Sequence, residues 1–159
     1  MKRVLTIAAI AALLIGCTAQ QPAPVVEDNT PGFVLSDENV EVKIGEDGAL
    51  LSLINKETGH NYASGEGLWR MFYNTHEEKE MQIDGTENTP EVSQEGDVII
   101  ITYKDLVHRG KALKMGLTLT VKVEDGAVRF GSEVSNNEPG TIIRELQYPL
   151  VGNMNLPEG

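Results

Sequence analysis

The chain has 159 residues, of which 40% are hydrophobic and 5% aromatic, and it carries a formal charge of −11. That length holds one domain with a real core and not two, and the hydrophobic share suits a folded chain rather than a disordered one. The acidic balance excludes electrostatic attraction to nucleic acid or bare anionic lipid and favours neutral ligands, while the scarcity of aromatic residues argues against a binding face paved with Trp and Tyr.

The N-terminus has the three parts of an export signal: Lys2 and Arg3, an apolar run from Val4 to Ile15, and small Gly16 before the only cysteine, Cys17. The run is shorter than the roughly 20 apolar residues that cross a bilayer. Cys17 has no partner in the chain for a disulfide. Leu14-Ile15-Gly16-Cys17 resembles the lipobox of bacterial lipoproteins. The resemblance implies that residues 1–16 are a signal peptide and that the Cys17 thiol is the lipid attachment site. Each buried acyl CH₂ is worth about 0.8 kcal/mol, so more than one chain makes a stable membrane anchor. Thr18 follows where Asp would favour retention, which in that family points to the outer membrane. Loss of Lys2 and Arg3 with the signal leaves 11 basic against 24 acidic residues, or −13. Thr18 to Gly32 holds three of the seven prolines and no amphipathic period, so residues 17–32 read as the lipidated cysteine and a flexible tether.

The domain, 33–159, reads as all-β. Val40, Val42 and Ile44 alternate with Glu41 and Lys43, the two-residue period of a half-buried strand. Gly45-Glu46-Asp47-Gly48 turns the chain into Ala49 to Ile54, an almost wholly apolar strand expected to be covered on both faces. Asn55 to Gly59 closes it as a second turn. Leu68 to Tyr73, LWRMFY, carries the only Trp. Asn74 to Gly96 is polar and acidic and reads as loops with short edge strands, and Val98 to Tyr103 as the strongest buried strand. Met115 to Val123 alternates strictly and turns at Glu124-Asp125-Gly126 into Val128, Phe130 and Val134. Ile142 to Leu146 starts a last strand, and Pro149 belongs at an edge or bulge. Short turns between strands predict an antiparallel β-sandwich.

Asp47-Gly48 with Leu51-Ser52-Leu53, then Asn55-Lys56-Glu57-Thr58-Gly59 and Leu68-Trp69-Arg70, resemble the opening meander of the galactose mutarotase-like β-supersandwich. Val134-Ser135-Asn136-Asn137 and Glu145 to Gly152 are similar to the stretch where that module runs towards its end. In many glycoside hydrolases the module precedes a catalytic (β/α)₈ barrel. The resemblance therefore implies a carbohydrate-processing context, with the catalytic carboxylates beyond Gly159. The acid-base motifs of the mutarotase enzymes do not map onto His60, His76 or His108, so no catalytic residue is carried over.

The candidates for carbohydrate contact are Trp69, Arg70, Tyr73 and His76. An aromatic face suits the C–H surface of a pyranose, and Arg bonds its hydroxyls. The plainer reading makes Trp69 and Phe72 core. His76 to Glu80 lacks the second His of a zinc helix and reads as a solvated acidic loop. Asp84 to Asn88 falls short of a calcium loop. Glu133 and Glu145 are the one candidate carboxylate pair, with a separation the sequence does not give. No cofactor motif and no metal set emerges. The leading expectation is a membrane-anchored, non-catalytic module of a glycosidase that binds oligosaccharide or polysaccharide. The alternative is a stand-alone structural or protein-interaction lipoprotein that uses the same scaffold.

Overall fold

The computed structural model describes residues 30–63 and 67–152. The lipobox with Cys17, the tether as far as Asn29 and the chain from Asn153 lie outside the described residues. The described chain is all-β and antiparallel, with no α-helix. A first sheet has the order β1-β2-β3-β4, from β1 (Gly32–Ser36), β2 (Val40–Gly45), β3 (Leu50–Asn55) and the short β4 (His60–Asn61). β5 (Arg70–Asn74) and β6 (Met81–Asp84) follow, then edge strand β7 (Glu91–Glu95), β8 (Val98–Tyr103) and the short pair β9 (Val107–His108) and β10 (Lys111–Ala112). The long hairpin of β11 (Met115–Glu124) and β12 (Ala127–Asn136) completes a second sheet, β12-β11-β8-β7, and β13 (Ile142–Gln147) a third, β13-β5-β6.

The period of two decides which side chains become interior. On β11, Met115, Leu117, Leu119 and Val121 are buried and the residues between them are not. On β8, Ile99, Ile101 and Tyr103 do the same. β1 and β2 of the first sheet touch β8, β11 and β12 of the second, so one core collects Val42 and Ile44 with these rows. Met71, Tyr73 and Ile83 bring the third sheet to the same cluster. Tyr148, just past β13, secures that sheet further: its hydroxyl donates to the Thr120 carbonyl at 2.9 Å, and its ring meets Phe130 edge-on.

Two expectations shift in detail. β3 is only half-buried after Leu50, because it has a full-length partner in β2 and only two residues of β4 on its other side. The first strand also begins at Gly32, one residue before the expected domain start. The remaining strands of the reading appear close to where alternation put them, and Pro149 falls just beyond the end of β13.

The turns hold by the chemistry of their residues. Asn55 accepts from Thr58 N at 3.0 Å, and Gly59 has φ +69. Asp37 accepts from the backbone of Asn39 and Val40 and, across 89 positions, from Gly126, joining the β1–β2 turn to the β11–β12 turn. These bonds, with that to Val40 foremost, hold its carboxyl below the ordinary value of 3.8. Gly48 combines φ +78 with a crowded site, where an added Cβ would lie 2.7 Å from Tyr103 Oη and 2.9 Å from Pro90 Cγ. Gly96 has φ +62 and nothing within 4 Å of such a Cβ. Gly96→Ala is therefore expected to cost about 1 kcal/mol, from backbone strain alone. Gly48→Ala is expected to cost about 3 kcal/mol, because overpacking adds to that strain. Urea denaturation of both variants checks the ordering.

Candidate functional site

The LWRMFY stretch delivers its side chains to opposite faces of one strand. Met71 and Tyr73 of β5 are buried, as is Trp69 just before it, whereas Arg70, Phe72 and Asn74 are only half-buried on the other side of the pleat. Trp69 is 0% exposed and Tyr73 2%. A ring with no open face cannot stack on a sugar, so the expected platform of Trp69, Arg70 and Tyr73 does not form. Strand geometry is the reason: consecutive residues point apart, and Arg70 cannot share a face with the residue before it.

Arg70 instead belongs to a polar face with an aromatic centre. Cross-strand pairs project from the same side of a sheet. The β5 register sets Arg70 between Asp84 and Gln147, and Phe72 between Gln82 and Glu145. Phe72 does not join the core and lines an open cleft of about 500 Å³ with Asn74, Arg144 and Glu145. Gln147 Nε2 donates to Glu145 Oε1 at 2.8 Å. Arg70 Nε is buried without a hydrogen-bond partner among the described residues. Asp84 accepts from the backbone N and the hydroxyl of Thr86. The hydroxyl bond is foremost in holding its carboxyl below the ordinary value of 3.8, and nearby Arg70 adds to the effect, while partial burial opposes it. Planar donors and acceptors around one aromatic ring suit a neutral polyhydroxylated ligand, whose C–H face rests on the ring while its hydroxyls meet the rim.

Tyr73 and His76 do come together, at a second cleft of about 410 Å³ between the Thr75–Glu80 loop, the β9–β10 hairpin and the Asn136–Gly140 turn. His108 meets the Tyr73 ring edge-on at 5.8 Å. Burial raises the Tyr73 hydroxyl above its ordinary pKa; Arg109 opposes the rise, and Glu78 and Glu138 reinforce it. Arg109 pairs with Glu78 at 3.5 Å at exposed positions, where such pairs add little stability, and exposed Lys111 pairs at 3.9 Å with Glu138, whose side chain is mostly buried. His76 is exposed and packs on Gly140, where an added Cβ would lie 2.8 Å from its ring. No cluster of three metal-ligating residues exists among the described residues. The Asp84 to Asn88 stretch spends its first carboxylate oxygen on Thr86, and Asn88 bonds Asp84 O and the Val107 backbone. Glu133 and Glu145 line different clefts, one beside β8 and β11 and one on the β5–β13 face.

A third cleft, of about 470 Å³, is lined by Gly48, Leu50, Leu68, Gly85, Pro90 and Tyr103 among others. Behind Tyr103, which lines it, the buried Trp69 ring meets that tyrosine edge-on, with centroids 5.1 Å apart. Trp69 Nε1 is buried and without a hydrogen-bond partner among the described residues. Leaving such a donor unpaired costs about 1–3 kcal/mol. The nearest acceptor to the indole N–H is the Tyr103 hydroxyl, which it approaches without full hydrogen-bond geometry; burial, the larger effect, raises that hydroxyl above its ordinary pKa, and the approach of the indole opposes the rise.

Phe72 and the β6 and β13 residues were missed as a site by the sequence reading, although a strict period of two through LWRMFY already separates Arg70 and Phe72 from Trp69 and Tyr73. The Trp69 donor had no signal, since only packing reveals that it is unpaired. Compared with known proteins, the chain matches no family model, no curated protein and no solved structure.

The Asp84 carboxyl gives a pH signature. Its folded pKa lies below the unfolded value of 3.8, so its stabilising effect is fully present above pH 3.8 and is lost as pH falls through the folded pKa. Asp84→Asn is therefore expected to be less stable than the unsubstituted protein at neutral pH, with the gap closing in acid. Urea midpoints measured across that range check it, and a gap that widens towards low pH contradicts the assignment.

Proposed function

We propose that this chain is a membrane-anchored, carbohydrate-associated β-sandwich, the non-catalytic N-terminal module of a larger glycoside hydrolase, held at the outer membrane through lipid on Cys17. The observation that carries the ligand class is the outward face of β5, β6 and β13. There Phe72 sits among Arg70, Gln82, Asp84, Glu145 and Gln147. The antiparallel all-β architecture supports the sandwich reading, and the turn motifs from Asp47 to Arg70 support its supersandwich form. The separation of Glu133 from Glu145 into different clefts supports a non-catalytic role, because hydrolysis of a glycosidic bond needs two carboxyl groups flanking it, within about 10 Å of each other. The acidic surface supports a neutral glycan over a polyanionic one.

Calorimetric titration with a panel of neutral oligosaccharides tests the ligand class. At least one member is expected to bind, and Phe72→Ala and Arg70→Ala are each expected to weaken it about tenfold or more, since truncating a central contact costs over 1 kcal/mol. Silence across the panel, together with recovery of a protein partner, favours the scaffold lipoprotein instead. The anchor has its own test. Cys17→Ala is expected to move the protein from the membrane pellet to the soluble envelope fraction, and retention in the pellet contradicts the lipid attachment.

A further inference from the structure

We infer that the open edge of β12 pairs antiparallel with β12 of a second copy of this chain, joining two four-stranded sheets into one continuous sheet. This inference does not depend on the glycan reading. β12 has β11 on one side and no strand on the other among the described residues. Exposed edges are templates for further pairing, and proteins blunt them with short strands, bulges, prolines or inward charges. Among the other outer strands, β1 and β7 are five residues long, β6 four and β4 two, and β13 carries a bulge. β12 lacks these defences. It runs for ten residues in unbroken register with β11, without proline, and its inward row of Val128, Phe130, Ser132, Val134 and Asn136 holds no charge. From Ser132 onward every residue of it is exposed, Val134 at 36%, although Val134 stands on the same side of the sheet as its buried cross-strand partner Leu117.

Hydrogen bonding and charge select one register. Asp125 and Gly126 form a two-residue loop with φ +54 and +75, so the turn bond joins Glu124 to Ala127. Alternation then turns the backbone groups of Arg129, Gly131 and Glu133 towards β11 and those of Val128, Phe130, Ser132 and Val134 towards the open edge. Asn137 N, in step with the first set, reaches Lys114 O at 2.8 Å. A second β12 must meet the open row with its own, and setting Gly131 against Gly131 of the second copy achieves this. Val128 then pairs with Val134 and Phe130 with Ser132, each twice, for about eight backbone bonds. On the opposite face Arg129 stands against Glu133, also twice. Arg129 already lies across from Lys122 and gives its Nε to Glu124 at 3.0 Å, which leaves the two terminal guanidinium nitrogens for the added carboxylate. Glu133 has no ion pair among the described residues. The strand thus offers one charge of each sign on a chain whose overall −11 otherwise repels its own copies. Sliding the second strand to the next allowed register in either direction breaks both charge pairs and sets Arg129 against Gly131 or Ser135. Gly131 is also required within the molecule, where an added Cβ would lie 2.6 Å from Thr120 Oγ1, and it keeps the centre of the pairing clear of side chains.

An interface of one strand pair is small, so the dimer is expected to form and dissociate with concentration. Sedimentation velocity of the full chain carrying Cys17→Ala, which removes association through lipid, tests it with two charge reversals at exposed positions. Arg129→Glu sets carboxylate against carboxylate at both ends of the pairing, and Glu133→Arg sets cation against cation. Each variant alone is therefore expected to dimerise about tenfold more weakly, or worse. Mixed in equal amounts, the two restore an opposite-charge pair at both ends, and the dimer is expected to return. Urea midpoints close to that of the parent chain confirm that both variants fold, and mixing would not repair a folding defect, so the rescue reads the register itself. The inference is overturned if the parent chain is monomeric at every concentration, the result expected where residues 153–159 or a different protein cover the edge. It is equally overturned if the dimer persists unchanged in both single variants, or if the mixture of the two folded variants stays monomeric.

Discussion

The contact between Trp69 and Tyr103 is the point on which the three larger sheets converge. Trp69 leads into β5 of the third sheet, Tyr103 ends β8 of the second, and the Gly48 turn that joins β2 to β3 closes over the tyrosine from the first. An edge-to-face pair of this kind adds about 0.5–1.5 kcal/mol beyond the burial of its two large surfaces. Its greater consequence is positional. With Trp69 fixed inward, the next residue must point outward, and the face of β5 that carries Arg70 and Phe72 follows from that single choice. The indole N–H stays buried beside the Tyr103 hydroxyl, and Tyr103 itself also lines a cleft.

The fold was legible wherever alternation ran long. Met115 to Val123 states its own buried row, and the turns at Asp47-Gly48, Asn55 to Gly59 and Asp125-Gly126 announce themselves through residues that accept left-handed backbone. Length matters here: β11 and β12 each run for ten residues, and over such a span no helical period competes. The mostly apolar β3 was harder to read, because with Ser52 as the one polar residue before Asn55 a strand carries little sign of which face is covered. Its half-buried state reflects the shortness of its neighbour β4, a property of partner length that no local pattern encodes.

The candidate site was partly legible and for the same reason. Arg70 and Tyr73 were drawn together by proximity in sequence, while the pleat sends them to opposite sides and gives Arg70 the company of Phe72, Asp84 and Gln147. A stricter use of the period would have separated them. The neighbours supplied by β6 and β13 depend on register, and the β13 register includes a shift between Ile143 and Glu145 that local sequence does not announce. The meeting of Tyr73 and His76 with His108 likewise depends on how the β9–β10 hairpin and the Asn136–Gly140 turn close around them. Long-range juxtaposition of this kind is a result of folding and has no local signature.

Function then turns on which surface meets a ligand, and the glycan recognition we propose would use the outward face of β5, β6 and β13 and not the buried Trp69 ring. Residue-resolved amide shifts of the ¹⁵N-labelled domain, followed while an oligosaccharide is added, test that claim most directly. The account predicts that shifts cluster at Arg70, Phe72, Asn74, Gln82, Glu145 and Gln147 and leave the β11–β12 hairpin unmoved. Shifts centred on that hairpin, or none on the β5 face at saturating sugar, would contradict it.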